Sequence, residues 1–167
     1  GLGASEAAES RFELSIETLR ELEGLRIPAN PQRQGDAIKR KLDLVTRLNN
    51  EMAEGIKYDD VQFVIAALTT AGRAYDHMSR SLYEAPKPAG LNADEMKAYN
   101  AEVDKIAAPM RQNAVDNYRR AVTKSHEIQI YNKWVIDAMA AMNRIDKNQF
   151  AETGERVLNS REFEAGI

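Results

Sequence analysis

Val61-Gln62-Phe63-Val64-Ile65-Ala66-Ala67-Leu68-Thr69-Thr70-Ala71-Gly72-Arg73-Ala74-Tyr75-Asp76-His77-Met78-Ser79-Arg80-Ser81-Leu82 is the stretch that decides the fold class. Val61, Ile65, Leu68, Gly72, Tyr75, Met78 and Leu82 recur at steps of three and four, the spacing of one face of an α-helix. Asp59 and Asp60 stand just ahead of it, where carboxylates oppose the positive end of a helix dipole. Pro86-Lys87-Pro88-Ala89-Gly90 ends the pattern. Gly72 sits mid-helix at a cost of about 1 kcal/mol relative to Ala, which points to a close helix crossing.

Working outward, the same period recurs on both sides. Towards the N-terminus, Phe12, Ile16, Leu19 and Leu22 mark a first helix with Ser5 as its expected cap, ended by Gly24 and Pro28. Asn30-Pro31 reads as a turn. A second helix is expected from about Asp36, carrying Ile38, Leu42, Val45, Leu48 and Met52, with Gly55 placed as its C′ glycine. Towards the C-terminus, Asn92 and Glu95 form a capping box ahead of Met96, Tyr99, Val103, Ile106 and Met110, then Ala114, Tyr118 and Ala121. Pro109 should kink or split that helix. A fifth runs from about Tyr131 to Ile145, with Trp134, Ala138, Ala141 and Met142 inward. Phe150, Val157, Leu158 and Phe163 mark a short last helix or a tail. No alternating apolar run exceeds four residues, and no Asn-Gly or Asp-Gly hairpin turn occurs. The fold class expected is all-α, with five main helices.

The chain has 167 residues, 29% of them charged, with a formal net charge of −3. A mildly acidic balance excludes a nucleic-acid surface. Val61–Leu68 is the most apolar stretch and falls far short of the roughly 20 residues of a membrane span, so no membrane insertion by this segment is expected. Cysteine is absent, which removes disulfides and Cys-based zinc sites. The chain opens Gly1-Leu2-Gly3 without Met, as an excised piece of a longer protein would.

Catalytic and metal chemistry find no purchase. His77 and His126 are the two histidines, and Ala74 and Thr123 stand three residues before them, so neither belongs to a Glu-x-x-His motif of a di-iron bundle. His126-Glu127-Ile128-Gln129-Ile130 starts like a zinc-protease helix but has Ile130 where the second ligand must be. There is no Gly-x-Ser-x-Gly, phosphate loop or dinucleotide fingerprint. The pairs Asp59-Asp60 and Asp94-Glu95 are helix-start residues, and the six methionines fall at helical spacing as core filler. No catalytic residue, metal ligand or cofactor is expected.

Two windows go further than generic amphipathicity. Ala114-x-x-x-Tyr118-x-x-Ala121 sets a large ring between small residues on one face, and Gly72-x-x-Tyr75 does the same on the third helix. These resemble the two halves of a tetratricopeptide repeat, and Trp134 followed by Ala138 resembles the start of another. About 30 residues separate the two halves, where the standard repeat has a tight turn. Arg73–Leu82, Pro86–Leu91, Lys105–Met110, Ala114-Val115 and Tyr131–Trp134 resemble the C-terminal region of large tetratricopeptide-repeat proteins of gliding and related bacteria. That resemblance implies helical hairpins stacked as a degenerate, TPR-like right-handed bundle or solenoid. It also implies a non-enzymatic adaptor in the cell envelope, periplasmic or associated with the outer membrane.

The organisation expected is one compact unit: an N-terminal helical hairpin over 1–57, a TPR-like region over 58–150, and a tail or short helix over 151–167. The function expected is a scaffold for protein–protein interaction, its partner another protein or a peptide segment. Tyr131, Asn132 and Trp134 are the candidate partner-binding residues, since aromatics with a polar tip dominate interfaces. Trp134 as a core anchor and Asn132 as a helix cap is the competing account of the same residues. Two alternatives stand beside the scaffold. One is a small-ligand sensor with a pocket where Pro109 loosens the packing, and the other is a structural oligomerisation module. The sequence leaves the oligomeric state open.

Overall fold

The computed structural model describes residues 2–57 and 60–146. It is all-helical there: α1 (Leu2–Gly24), α2 (Pro31–Ile56), α3 (Val61–Tyr83), α4 (Ala93–Ile128) and α5 (Lys133–Ile145), with no strand among the described residues. The expected features at Phe150, Val157, Leu158 and Phe163, and the tail over 151–167, lie outside the described residues.

Most boundaries follow from cap chemistry. Asp60 accepts from the Phe63 amide at 3.1 Å and starts α3. Asn92 and Glu95 form the expected reciprocal capping box at 2.9 Å each way. Asn132 Oδ1 accepts from the Trp134 and Val135 amides at 3.0 and 3.3 Å, so α5 starts at Lys133 rather than Tyr131. Four other expectations need correction. Asn30-Pro31 is not a turn before a helix at Asp36. Asn30 caps α2 and Pro31 is its first residue, where the missing proline amide costs nothing. Gly55 is not a C′ glycine but the penultimate residue of α2, pressed against the Phe63 ring. Ser5 lies inside α1, which already begins at Leu2. Pro109 does not split α4, whose helical bonding continues on both sides of it.

Side-chain pairs fix how the helices run. Thr18 meets Glu51 and Glu21 meets Arg40, so α2 returns antiparallel along α1. Gly55 against Phe63, Asn49 against Tyr75 and Lys41 against His77 set α3 antiparallel to α2. Gly72 against Tyr118 and Ser79 against the Ala107 carbonyl set α4 antiparallel to α3. Thr69 bonds the Trp134 carbonyl at 3.1 Å and Asp76 pairs with Arg144, so α5 runs parallel to α3. The pairing of Phe12 with Phe63 and of Glu23 with Arg73 makes α1 parallel to α3 as well.

Two apolar cores result, with α3 between them. One joins Leu19 and Leu22 of α1, Leu48 and Met52 of α2, and Met78 and Leu82 of α3. The other joins Ile65 and Leu68 of α3, Tyr118 and Val122 of α4, and Val135, Ala138 and Met142 of α5. Tyr75 packs against both. Each fully buried aliphatic side chain contributes about 1.5–3 kcal/mol of transfer free energy, so α3 draws stabilisation from two sides. Residues 1–57 supply α1 and α2, which pack on α3 directly.

Candidate functional site

α4 is much longer than the antiparallel α3 it packs on, and the excess decides where concave surface appears. Tyr83, the last residue of α3, stands level with Asp104, so the first part of α4 runs on beyond the end of its neighbour. The first buried residue of α4 is Ala107. Ahead of it, Met96, Tyr99 and Val103 are half-buried at three- and four-residue steps, and Ile106 is exposed.

Tyr83 is 44% exposed, and its Oη donates to Asp104 Oδ1 at 2.6 Å. That bond raises the phenol pKa above its ordinary value, because the carboxylate accepts the proton's hydrogen bond. The pair forms a ridge with a groove on each side. One, of about 450 Å³, is lined by Leu82, Tyr83, Ala85, Lys87, Tyr99 and Val103 among others. The other, of about 440 Å³, is lined by Tyr83, Ala108, Arg111, Gln112, Arg119 and Ile145 among others. Arg111 Nη2 donates to the Ile145 carbonyl at 2.7 Å, so a cation neutralises the negative end of α5 at the groove wall. Pro109, between Ala108 and Met110, is exposed without lining this groove, and has no amide proton to offer the Lys105 carbonyl.

The three candidate partner-binding residues lie at the other end of α4 and line neither groove. Tyr131 is 58% exposed on the turn between α4 and α5. Asn132 is the α5 cap. Trp134 is half-buried against the second core, and its ring meets Phe12 edge-on at 5.3 Å. Phe12 meets Phe63 edge-on at 5.8 Å, so three rings bridge α1 to α5 across α3. Sequence reasoning missed Tyr83 and Arg111, since neither belongs to an apolar stripe. The available signal was the disparity in length between the third and fourth periodic stretches.

Two polar clusters are built into the helix packing. Lys41 is 1% exposed, and its Nζ donates to the Leu22 carbonyl and to His77 Nε2, both at 2.8 Å. A charged Lys41 only donates, so in that state His77 Nε2 is the acceptor of the contact. Burial lowers the Lys41 pKa to about 8 against a weaker upward pull from Glu23. Burial and then the Lys41 charge lower that of His77. In the second cluster, the buried Asp76 carboxylate accepts from Arg144 and pairs with Arg80 at 3.4 Å. Arg73 grips Glu23 through two bonds of 2.6 and 2.8 Å. Below them the buried Tyr118 phenol is pushed up by desolvation and then by Asp76. Among the described residues no group of His, Asp or Glu could hold a metal ion.

Comparison with protein-family models, curated proteins and solved structures gives no match in any of the three. Among the described helices, none is long and apolar enough to cross a membrane.

Proposed function

We propose that this protein is a non-enzymatic helical scaffold that holds a segment of another protein in the groove along α4. The observation that carries this reading is the Tyr83–Asp104 ridge, with grooves of about 450 and 440 Å³ on its two sides. An exposed tyrosine beside Leu82, Tyr99 and Val103 on one side and Arg111 on the other brings together Tyr and Arg, the residue types that protein-binding surfaces favour. The parallel course of α1, α3 and α5, with α2 and α4 returning antiparallel, is the alternation that stacked, TPR-like hairpins require. The resemblance noted in the sequence is what supports the further reading of a bacterial envelope assembly, periplasmic or associated with the outer membrane.

The test is site-specific photocrosslinking from Ala101 or Ala108 in the groove, with Ile136 on α5 as the control position. A single envelope protein crosslinked from the groove positions and lost in Tyr83→Ala, at unchanged melting temperature, supports the reading. Equal crosslinking from all three positions rejects it.

A small-ligand carrier is the second reading, favoured by one observation: the 440 Å³ groove is lined by Ala108 and Arg111, which flank Pro109 along α4. A ligand selective for the folded state must raise its stability. A metabolite screen that shifts melting in the native chain but not in Arg111→Ala would favour the carrier over the scaffold.

A further inference from the structure

We propose that the face formed by α1, α3 and α5 docks a second copy of this chain antiparallel to itself, the acidic line of α1 lying on the arginines of α3 and α5. This goes beyond the groove along α4, which lies elsewhere on the fold.

The face is electrically two-ended. Glu6, Glu9, Glu13 and Glu17 follow one another at three- and four-residue steps, so they form a single line along α1. All four are exposed, and none pairs with a described residue. Phe12 beside them points to α3 and Trp134, while Arg11 turns to α2, where it acts on Glu54. The line therefore borders the α5 side of α1, and Arg20 follows at its end. Level with the end of α1 stand Arg73, Arg80 and Arg144, with side chains 61, 52 and 56% exposed. Lys41 lies behind them. Four cations here face two carboxylates, Glu23 and Asp76. Asp76 is buried and fixes two guanidiniums at once, leaving most of their N–H donors turned to solvent.

The two ends do not neutralise one another. Glu9 and Glu13 stand fourteen and ten residues of helix before Glu23, about 21 and 15 Å, which exceeds the Debye length of about 10 Å at 0.1 M salt; Glu17 alone is nearer. Each end is left to find its counterpart elsewhere, and a two-fold axis lying in the contact plane, perpendicular to the helices, supplies both at once. In such an isologous contact the glutamates of each copy meet the arginines of the other, so every pair is made twice. Arg geometry suits this, since its fork binds carboxylates bidentately.

Sedimentation of the full chain tests it. Dimers are expected at 0.1 M ionic strength and monomers at 1 M, where the Debye length shrinks to about 3 Å. Glu9→Lys/Glu13→Lys should weaken association on the order of tenfold, and Arg73→Glu/Arg80→Glu should do the same, with Arg144 kept so that Asp76 retains a counter-ion. Mixing the two variants should restore a one-to-one heterodimer. If the arginine variant fails to fold, Glu9→Gln/Glu13→Gln decides alone, because those side chains are exposed. A chain monomeric at 0.1 M, a dimer indifferent to salt, or association unchanged by the glutamate substitutions overturns the proposal. The groove crosslinks from Ala101 and Ala108 stay unaffected by these variants, so failure here is separable from failure of the scaffold reading.

Discussion

Gly72 lies so close to the Tyr118 ring that a β-carbon there would stand 2.6 Å from Cε1 and 2.7 Å from Cδ1. The phenol is buried between α3, α4 and α5, so the ring has little room to retreat. Gly72→Ala should gain about 1 kcal/mol in helix propensity and lose more to overpacking, for a net destabilisation of about 1–2 kcal/mol. Chemical denaturation measures it. Stability equal to or above that of the native chain would show that the helices can spread at no cost.

The Lys41–His77 contact makes stability depend on pH in a stated direction. Both groups titrate lower in the folded protein than in the unfolded chain, where they sit near 10.5 and 6.5. Wherever the unfolded chain holds the extra proton, stability rises with pH. It should fall on acidification below about 6.5, as neutral His77 is forced to charge beside Lys41. It should rise between about 8 and 10 as Lys41 loses its proton, by at most about 3 kcal/mol. Tyr118 acts oppositely, because its folded pKa is raised, and takes stability away above pH 10. Urea titrations across pH 5 to 10 check the curve, and Lys41→Met should flatten its alkaline limb.

Asn132→Ala removes the acceptor for two amides at the start of α5 and should cost about 1 kcal/mol. Tyr131→Ala, on the exposed turn, should stay within about 0.5 kcal/mol of the native chain. Thermal melts separate the two. A Tyr131 effect as large as that of Asn132 would mean the tyrosine ring carries packing that its exposure conceals.

Gly55→Ala should disturb a side chain three contacts away. The added carbon would stand 2.1 Å from Phe63 Cζ, and Phe63 leans on Phe12, which leans on Trp134. Trp134 is the single tryptophan, so its emission reports the shift directly. An unchanged spectrum with a lowered melting temperature would show that α2 moves instead of the ring.

Gly72 and Gly55 also show what a sequence discloses. Gly72 interrupts a long apolar stripe, so its helix-propensity penalty demanded a packing reason, and a ring supplies one. Gly55 comes near the end of its stripe, where a capping role explains it equally well. Nothing local reveals that Phe63, eight residues on, returns to fill that space. Asn92 and Glu95 were legible because a capping box is complete within four residues. Asn30-Pro31 was misread because the helix begins with polar residues that carry no apolar period. The grooves were hidden for a different reason. Tyr83 and Arg111 face them only because α4 outruns α3, a relation between two helices rather than a property of either.

Since α3 forms part of both apolar cores, neither core can dissolve without stripping it on one side. The backbone amides of Ile65–Met78 should accordingly be the slowest in the chain to exchange with deuterium, at rates set by whole-molecule unfolding. The outer hairpin of α1 and α2 would not peel away alone, as a terminal unit of a linear array can. A limited digest should therefore yield either intact chain or small peptides, without a long-lived half.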